Sequence, residues 1–600
     1  MSALLCCLRR RRPSQTDEVA EEPAPVVNHL QVVREALRYL EANPDDKRQQ
    51  EKVQETLGRQ PSAVYDVLQE EAIRLPLVVP QQTTTSLAGP DSPTLLNDVD
   101  WANCIGEQRC TPLNKVRPQS LQDMVDIVNE ARRLKQRVRA VGSGHAFSDV
   151  ARTDGAVLVN PILLNDVRAV NTALLRVGAV EGGNTLVYVQ AGITVKNLKV
   201  ELDNRGLALI NMGGYDGQTI SGTLSTGTHG SGITFGPLAS FARAIILVSE
   251  SGTVYQIEPT TGGVSDPAKF LGVLDSVPVQ LKQSDAWFRT AHTSMGCLGL
   301  IHAYILEVTP AYSIRELRTS TTWSTVRLSL LPSMWSPVPE IVSSSEHFEL
   351  ILNPYTRWFR NACLTVSRTR LPGADHPQSG QRQDWLTSLL QQIAVEHTAD
   401  LVALLRKFPF LSPLAIDQAI MSVSGFDGDG DGRPDPYVDK SFNVFTLGAA
   451  ANEITALAME LHCDAARCVP TIDALLEAFH DMADREGWYM AGPLGVRFVA
   501  ASEGYLAPQA GRMTCTVELA MLVGLEAGRD LARRVKERLC TSDEGSVRVH
   551  WGLDLDFVTA EDARAWYPDF ERWVAVYRTL NSTGMFNNQF TNRLRISISP

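Results

Sequence analysis

Two glycine-rich turns constrain this chain more than any other feature. The first is Val138–Asp149, V-R-A-V-G-S-G-H-A-F-S-D. The second is Asn211–Gly232, N-M-G-G-Y-D-G-Q-T-I-S-G-T-L-S-T-G-T-H-G-S-G. In each, a short apolar run feeds a stretch of Gly, Ser and Thr with little side-chain bulk. Such backbone can lie flat against a ligand, and its clustered N–H dipoles suit phosphate oxygens. Each turn also carries a histidine, His145 or His229, where the backbone would approach that ligand most closely. The pair reads as two halves of one dinucleotide site.

A Rossmann unit is the rival for the first turn, and it fails on detail. Gly142 and Gly144 are present, but Phe147 stands at the third glycine position and no acidic residue follows at the expected strand end. A net charge of −12 argues against a nucleic-acid groove, which needs a basic surface. No apolar run approaches the roughly 18 residues of a membrane span. The 10 cysteines include no C-x-x-C pair, which argues against a thiolate zinc site or disulfide scaffold.

The chain opens M-S-A-L-L-C-C-L-R-R-R-R-P. Acylation of both cysteines beside Arg9–Arg12 would meet the two-signal requirement for peripheral membrane anchoring. The other reading, a disordered solvated tail over 1–28, is the expectation adopted, and it implies a cytoplasmic protein with membrane association through the N-terminus as the variant. Residues 29–100 read as a helical extension and linker, with Leu30, Val33, Ala36, Leu37 and Leu40 recurring at three and four, and a second amphipathic run over Ser62–Ile73. A first large domain over 101–311 alternates short strands with helices. Ser120 and Thr194 are N-caps there, and Ala156–Asn160 and Thr185–Ala191 are strands. This pattern is α+β, with the ligand held between subdomains.

The run from Trp101 to Ala311 resembles the FAD-binding domain of the vanillyl-alcohol oxidase type of flavoprotein, and is most similar to that of the aldonolactone and alditol oxidases. The resemblance rests on the two turns and on S-M-G-C-L-G-L-I at Ser294–Ile301. P-L-G-V-R-F-V at Pro493–Val499, V-H-W-G at Val549–Gly552 and F-N-N-Q-F-T-N-R-L at Phe586–Leu594 extend it through the second half. It implies that His145 is joined covalently to the flavin 8α-methyl carbon, which would make the cofactor harder to lose and more oxidising. It further implies that Gly142, Ser143, Gly144, Ser148, Gly222, Ser225, Thr226, Thr228, His229, Gly230 and Ser231 surround the pyrophosphate and isoalloxazine, with Ile301 near the adenosine or flavin edge. Residues 312–600 then form a substrate cap, an antiparallel sheet with helices on one side. Strand-like composition covers Arg315–Arg327 and Glu346–Leu352, and a helix is expected over Gln383–Arg406.

The chain departs from these relatives where the chemistry should be. They carry a Glu-x-Arg pair on a strand and a Lys after His-Trp-Gly; here the positions are Gly495 with Arg497, and Leu553. Arg497 and His550 are the surviving polar groups, and His550, Glu518, Asp554 and Asp556 are the candidate bases. The resemblance implies an FAD-dependent oxidoreductase acting on a CH–OH group of a small-molecule alcohol, polyol or lactone. O2 is the acceptor expected, reaching the flavin past the small Gly222. A dehydrogenase with another acceptor and a non-catalytic flavin-binding protein are the alternatives. Separately, Asp427, Asp429, Asp431 and Asp435 occupy positions 1, 3, 5 and 9 of a calcium loop, with Gly432 at 6 and Val438 in place of the bidentate Glu at 12.

Overall fold

Apolar residues spaced three and four apart give two helices, His29–Ala42 and Lys47–Arg59, that form one small unit. Val33, Leu37, Leu40, Val53 and Leu57 are its buried seam. The computed structural model describes residues 29–59 and 100–598, apart from 181, 334–335, 337, 357–360, 372, 374–375, 381–397, 426, 428–429, 431–432, 448–455, 526–527 and 541–546. The Cys6–Cys7 tail with its arginines, the expected run over 62–73, residues 383–397 of the expected cap helix, and Asp429 and Asp431 of the acidic loop lie outside the described residues. Among the described residues no helix is long and apolar enough to cross a membrane.

In the second unit the first glycine turn hangs from a three-stranded parallel sheet, Asn114–Val116, Ala156–Val159 and Arg137–Ala140, with Ala156–Val159 central. Ser120 and Asp123 close a capping box that starts helix Leu121–Arg133. The buried stripe of that helix, Leu121, Met124, Val128 and Ala131, packs against Arg137–Ala140 and against strands Ala242–Val248 and Leu300–Pro310 of a neighbouring eight-stranded mixed sheet. Thr194 caps helix Val195–Asp203 as expected.

The second half is built on an eight-stranded sheet whose pairings are all antiparallel. Its strands are β1 (Ser313–Thr322), β2 (His347–Leu352), β3 (Ala362–Leu371), β4 (Tyr437–Lys440), β5 (Ala456–Asp464), β6 (Leu494–Val499), β7 (Thr514–Leu522) and β8 (Arg548–Val549), in the order β4-β1-β3-β2-β6-β7-β5-β8. Side chains alternate across a strand, so register decides which of them share a face. Leu350, Val496, Phe498, Val517, Leu519, Met459 and Leu461 go to one face and are fully buried, with helix Cys468–Glu486 packed beside them. The intervening residues Glu349, Arg497, Thr516 and His462 lie opposite one another on the other face, as do Gly495, Glu518 and Glu460.

Strand composition over 315–327 does not hold to its end. β1 stops at Thr322, and Trp323–Ser329 is helical. The Thr322 hydroxyl bonds those of Ser324 and Thr325, and Asp473 accepts from Trp323 Nε1 and Arg327, so a distant carboxylate pins the turn. Position in the chain and position in space also part company late on. Val138 N–H donates to the Met585 carbonyl, and Asn588 Nδ2 donates to Val150 and Arg152, so the segment after 585 returns to the first glycine turn.

Candidate active site

The two glycine turns face each other across a cleft. Gly142–Ala146 form one wall and Gln218, Thr219, Ser221 and Gly222 with Thr226 and Thr228 the other. Met295, Gly296 and Gly299–Ile301 make the floor, and His550, Gly552 and Leu553 come from the cap half. Two glycines are required by space. A Cβ on Gly142 would lie 2.0 Å from Thr219 Oγ1, and one on Gly299, whose φ is +149, would lie 2.4 Å from the Val248 carbonyl oxygen.

The donor set fits a dinucleotide. Ser143 Oγ and Thr219 Oγ1 are buried on the walls without a hydrogen-bond partner among the described residues, which suits hydroxyls that serve ligand oxygens. Beneath Gly296, Arg139 is buried and donates to the carbonyls of Gly296, Met295, Val150 and Phe586, putting a fixed cation under the floor.

His145 lines the cleft, and its Nε2 lies 2.8 Å from the Tyr215 hydroxyl. Burial lowers the imidazole to about 4, so the ring is neutral and keeps a lone pair. Ser148 turns away from the cleft, its Oγ donating to the Trp551 carbonyl at 2.8 Å. Phe147 N–H donates to the Gly552 carbonyl at 2.9 Å, tying the first turn to the His-Trp-Gly segment.

His550 is buried at the cleft edge. Its Nδ1 accepts from Gly552 N–H at 3.0 Å, which leaves the ring proton on Nε2. Burial holds its pKa at about 3. It is therefore a neutral donor at working pH, and its geometry suits hydrogen bonding to an oxygen better than taking a proton.

Behind it, His229 Nδ1 donates to the Gly230 carbonyl at 2.9 Å while Nε2 stands 3.1 Å from Glu460 Oε2. Both ring nitrogens face acceptors, so the ring carries two protons. Burial opposes that charge, but the Glu460 carboxylate outweighs it and raises the His229 pKa. His462 Nε2 approaches the same carboxylate oxygen at 3.4 Å. The rings of His229 and His462 each have their centroid 6.2 Å from that of His550.

Arg497 sits between Glu349 Oε1, 3.4 Å from its Nε, and Glu518 Oε2, 3.0 Å from its Nη1. Burial would raise the Glu349 carboxyl, but the charges of Arg368 and Arg497 hold it at about 2.

Of the residues singled out in the sequence, Gly142–His145, Gly222, Ser225, Thr226, Thr228, Ile301 and His550 meet around the cleft. His229, Gly230 and Ser231 are buried behind it, Ser231 with its carbonyl on His347 Nδ1. Asp556 accepts from Gln108 and Asp554 faces Arg529, and neither lines the cleft; Arg497 and Glu518 do not line it either, and lie on the polar face of the cap sheet. In the acidic loop Asp427 is exposed and accepts from Gly430 N–H, and Asp435 is half-buried. Sequence reasoning missed Tyr215, Glu349, Glu460 and His462. A signal existed for the last three, polar residues at alternate positions of the otherwise apolar strands H-F-E-L-I-L and A-L-A-M-E-L-H-C-D.

Comparison with known proteins agrees with this geometry. A family model described as an FAD binding domain matches residues 112–258, and one described as D-arabinono-1,4-lactone oxidase matches 305–594. The chain is 27% identical over 500 residues to an L-gulono-1,4-lactone dehydrogenase of Mycobacterium tuberculosis, covering 82% of this chain and 98% of that one. It is 25% identical to the L-gulonolactone oxidase of Bos taurus, covering 82% and 97%. It is 26% identical to an alditol oxidase of a Streptomyces species, covering 80% and 94%. In fold it is similar to a cholesterol oxidase from B. sterolicum, with TM-score 0.62, 15% identity and 87% and 99% of the two chains covered. The chain thus joins an FAD-binding domain to a region matching the D-arabinono-1,4-lactone oxidase family, and is similar over most of its length to lactone and alditol oxidoreductases.

Proposed function

We propose that the protein oxidises a CH–OH group of an alditol or aldonolactone and passes the electrons to O2, giving hydrogen peroxide. The observation that carries this reading is the meeting of two walls. A cleft shaped for FAD is edged by His550, and directly behind His550 begins the polar face of the cap sheet. Bound FAD supplies a two-electron acceptor. Gly142, Ser143, Gly144, Gly222, Ser225, Thr226 and Thr228 would hold it, with Ile301 along the floor. His550 offers its Nε2 proton to an oxygen at the cleft edge. Arg497, kept charged by its two glutamates, steadies negative charge as a hydroxyl is deprotonated.

The covalent bond belongs to the same reading. A neutral His145, with Nε2 engaged by Tyr215, has its other nitrogen for the flavin 8α-carbon. Flavin fluorescence that stays with the denatured polypeptide, and leaves it in His145→Ala, is the expected result; fluorescence lost on denaturing the parent chain refutes the bond. A calcium ion on the loop of Asp427, Asp429, Asp431 and Asp435 is the remaining element, checked by metal content after dialysis against EGTA.

The function is tested by mixing the protein anaerobically with L-gulono-1,4-lactone, D-arabinono-1,4-lactone, xylitol and sorbitol while following flavin absorbance. Bleaching by at least one, and peroxide in step with substrate once air is admitted, is expected. A second reading, a dehydrogenase, is favoured by the name of the Mycobacterium tuberculosis relative. It predicts the same bleaching, with reoxidation by a dye such as dichlorophenolindophenol and little peroxide.

A further inference from the structure

One carboxylate on the polar face of the cap sheet differs from the others. Across the strands, charge alternates through contacts from Arg318 to Glu316 at 2.9 Å, Glu316 to Arg368 at 2.7 Å, Arg368 to Glu349 at 2.8 Å, Glu349 to Arg497 at 3.4 Å and Arg497 to Glu518 at 3.0 Å. Glu316 and Glu349 are each shared by two arginines, and Glu460 by two histidines. Glu518 closes the row with one cation, on one oxygen, among the described residues. Its side chain is also the open one, 31% exposed against 16% for Glu349, 4% for Glu460 and 1% for Glu316.

The backbone explains how it holds that place. Glu518 lies directly across the strand pair from Gly495. A Cβ built on Gly495 would be 3.7 Å from both Glu518 Cβ and Oε2, ordinary van der Waals contact, so the glutamate lies alongside the glycine with its Oε2 on Arg497 and space remains for a side chain at 495. A carboxylate absent from β6 is present on β7, directly across the strand pair.

We propose that Glu518 is the catalytic base of the reaction, an assignment that rests on the oxidoreductase reading above. In the step it serves, the substrate O–H bond breaks and its proton goes to Glu518. The C–H bond breaks with its electron pair leaving as hydride to the bound flavin, and C–O becomes C=O. Arg497 holds the carboxylate in place and stays protonated throughout. Glu349 is committed to its two arginines, Glu460 is buried against His229, and His550 already carries its proton on the nitrogen not held by Gly552.

The test uses the full chain loaded with FAD. In Glu518→Gln, anaerobic flavin reduction by the best substrate of the lactone and alditol panel falls on the order of 10²–10⁴-fold at saturation. Flavin content stays that of the parent, and the dissociation constant, read from the perturbed spectrum of the oxidised flavin, moves less than about tenfold. In Gly495→Glu/Glu518→Gln, with the carboxylate moved across the strand pair, at least about tenfold of the lost rate returns. A Glu518→Gln protein that reduces its flavin within about threefold of the parent overturns the assignment alone. So does one that merely binds more weakly and keeps the parental limiting rate. A parent protein whose flavin no panel member reduces overturns both this assignment and the function it rests on.

Discussion

The flavin cleft and the sheet face behind His550 are built on opposite principles. The cleft is made of backbone, with Gly142, Gly144, Gly222, Gly296 and Gly299 removing side chains so that amides and hydroxyls meet the ligand. The sheet face is made of side chains, a row of buried and half-buried charges in which each of the four inner ions is shared by two partners. A backbone wall fails when bulk is added. A charged wall fails when a charge is removed and its partner is left buried.

The largest effect is expected on the charged wall. Glu349→Gln leaves Arg368 and Arg497 each with one carboxylate fewer and costs about 3–5 kcal/mol, read from the midpoint of urea unfolding. The Glu349 carboxyl is lowered from 4.5 to about 2, so its contribution is complete above 4.5 and is lost as pH falls from there toward 2. The parent should thus lose stability on acidification over that window more steeply than the variant. Equal slopes would break the contrast.

Asp554 is the counter-case, a buried carboxylate poorly compensated by Arg529 at 3.4 Å. Burial raises its pKa from 3.8 to about 6, so ionising it in the folded protein carries a cost that is absent below 3.8 and complete above 6. Asp554→Asn should stabilise the protein above pH 6 by up to about 3 kcal/mol and give no gain at pH 3.5. A variant less stable at pH 8 would show that Arg529 compensates after all.

Gly142→Ala tests the backbone wall. The added methyl meets Thr219 Oγ1, Cβ and Cγ2, a short side chain that cannot swing clear. A loss of about 1–3 kcal/mol and reduced flavin content are expected, checked by thermal melt and absorbance. Full flavin occupancy in this variant would mean that the turn is less rigid than its contacts imply. Smallest is Tyr215→Phe, which should change stability by less than about 1 kcal/mol and slow the growth of denaturation-resistant flavin fluorescence, since His145 loses its hydroxyl partner.

This contrast also explains what could be read in advance. Gly142–His145 and Gly222–Thr228 were legible because a backbone-built surface is contiguous in sequence. The caps at Ser120 and Thr194 were legible because a cap needs only residues three positions apart. Glu349, Arg497, Glu518 and Glu460 come from four strands and become neighbours only through pairing register, which composition does not encode. Gly495 shows the limit most clearly. In the sequence it is a missing acid; in the structure it stands directly across from an acid on the next strand. Trp323–Ser329 was illegible for a similar reason, because Asp473 fixes it from far away.

The late return of the chain to the first turn carries a consequence for biosynthesis. Arg139 donates to the carbonyl of Phe586, 447 positions later, and Val138 N–H waits for Met585. A ribosome that has already released both glycine turns has not yet made these acceptors. The buried guanidinium under the cleft floor gains the last of its carbonyl partners only once Phe586 has emerged.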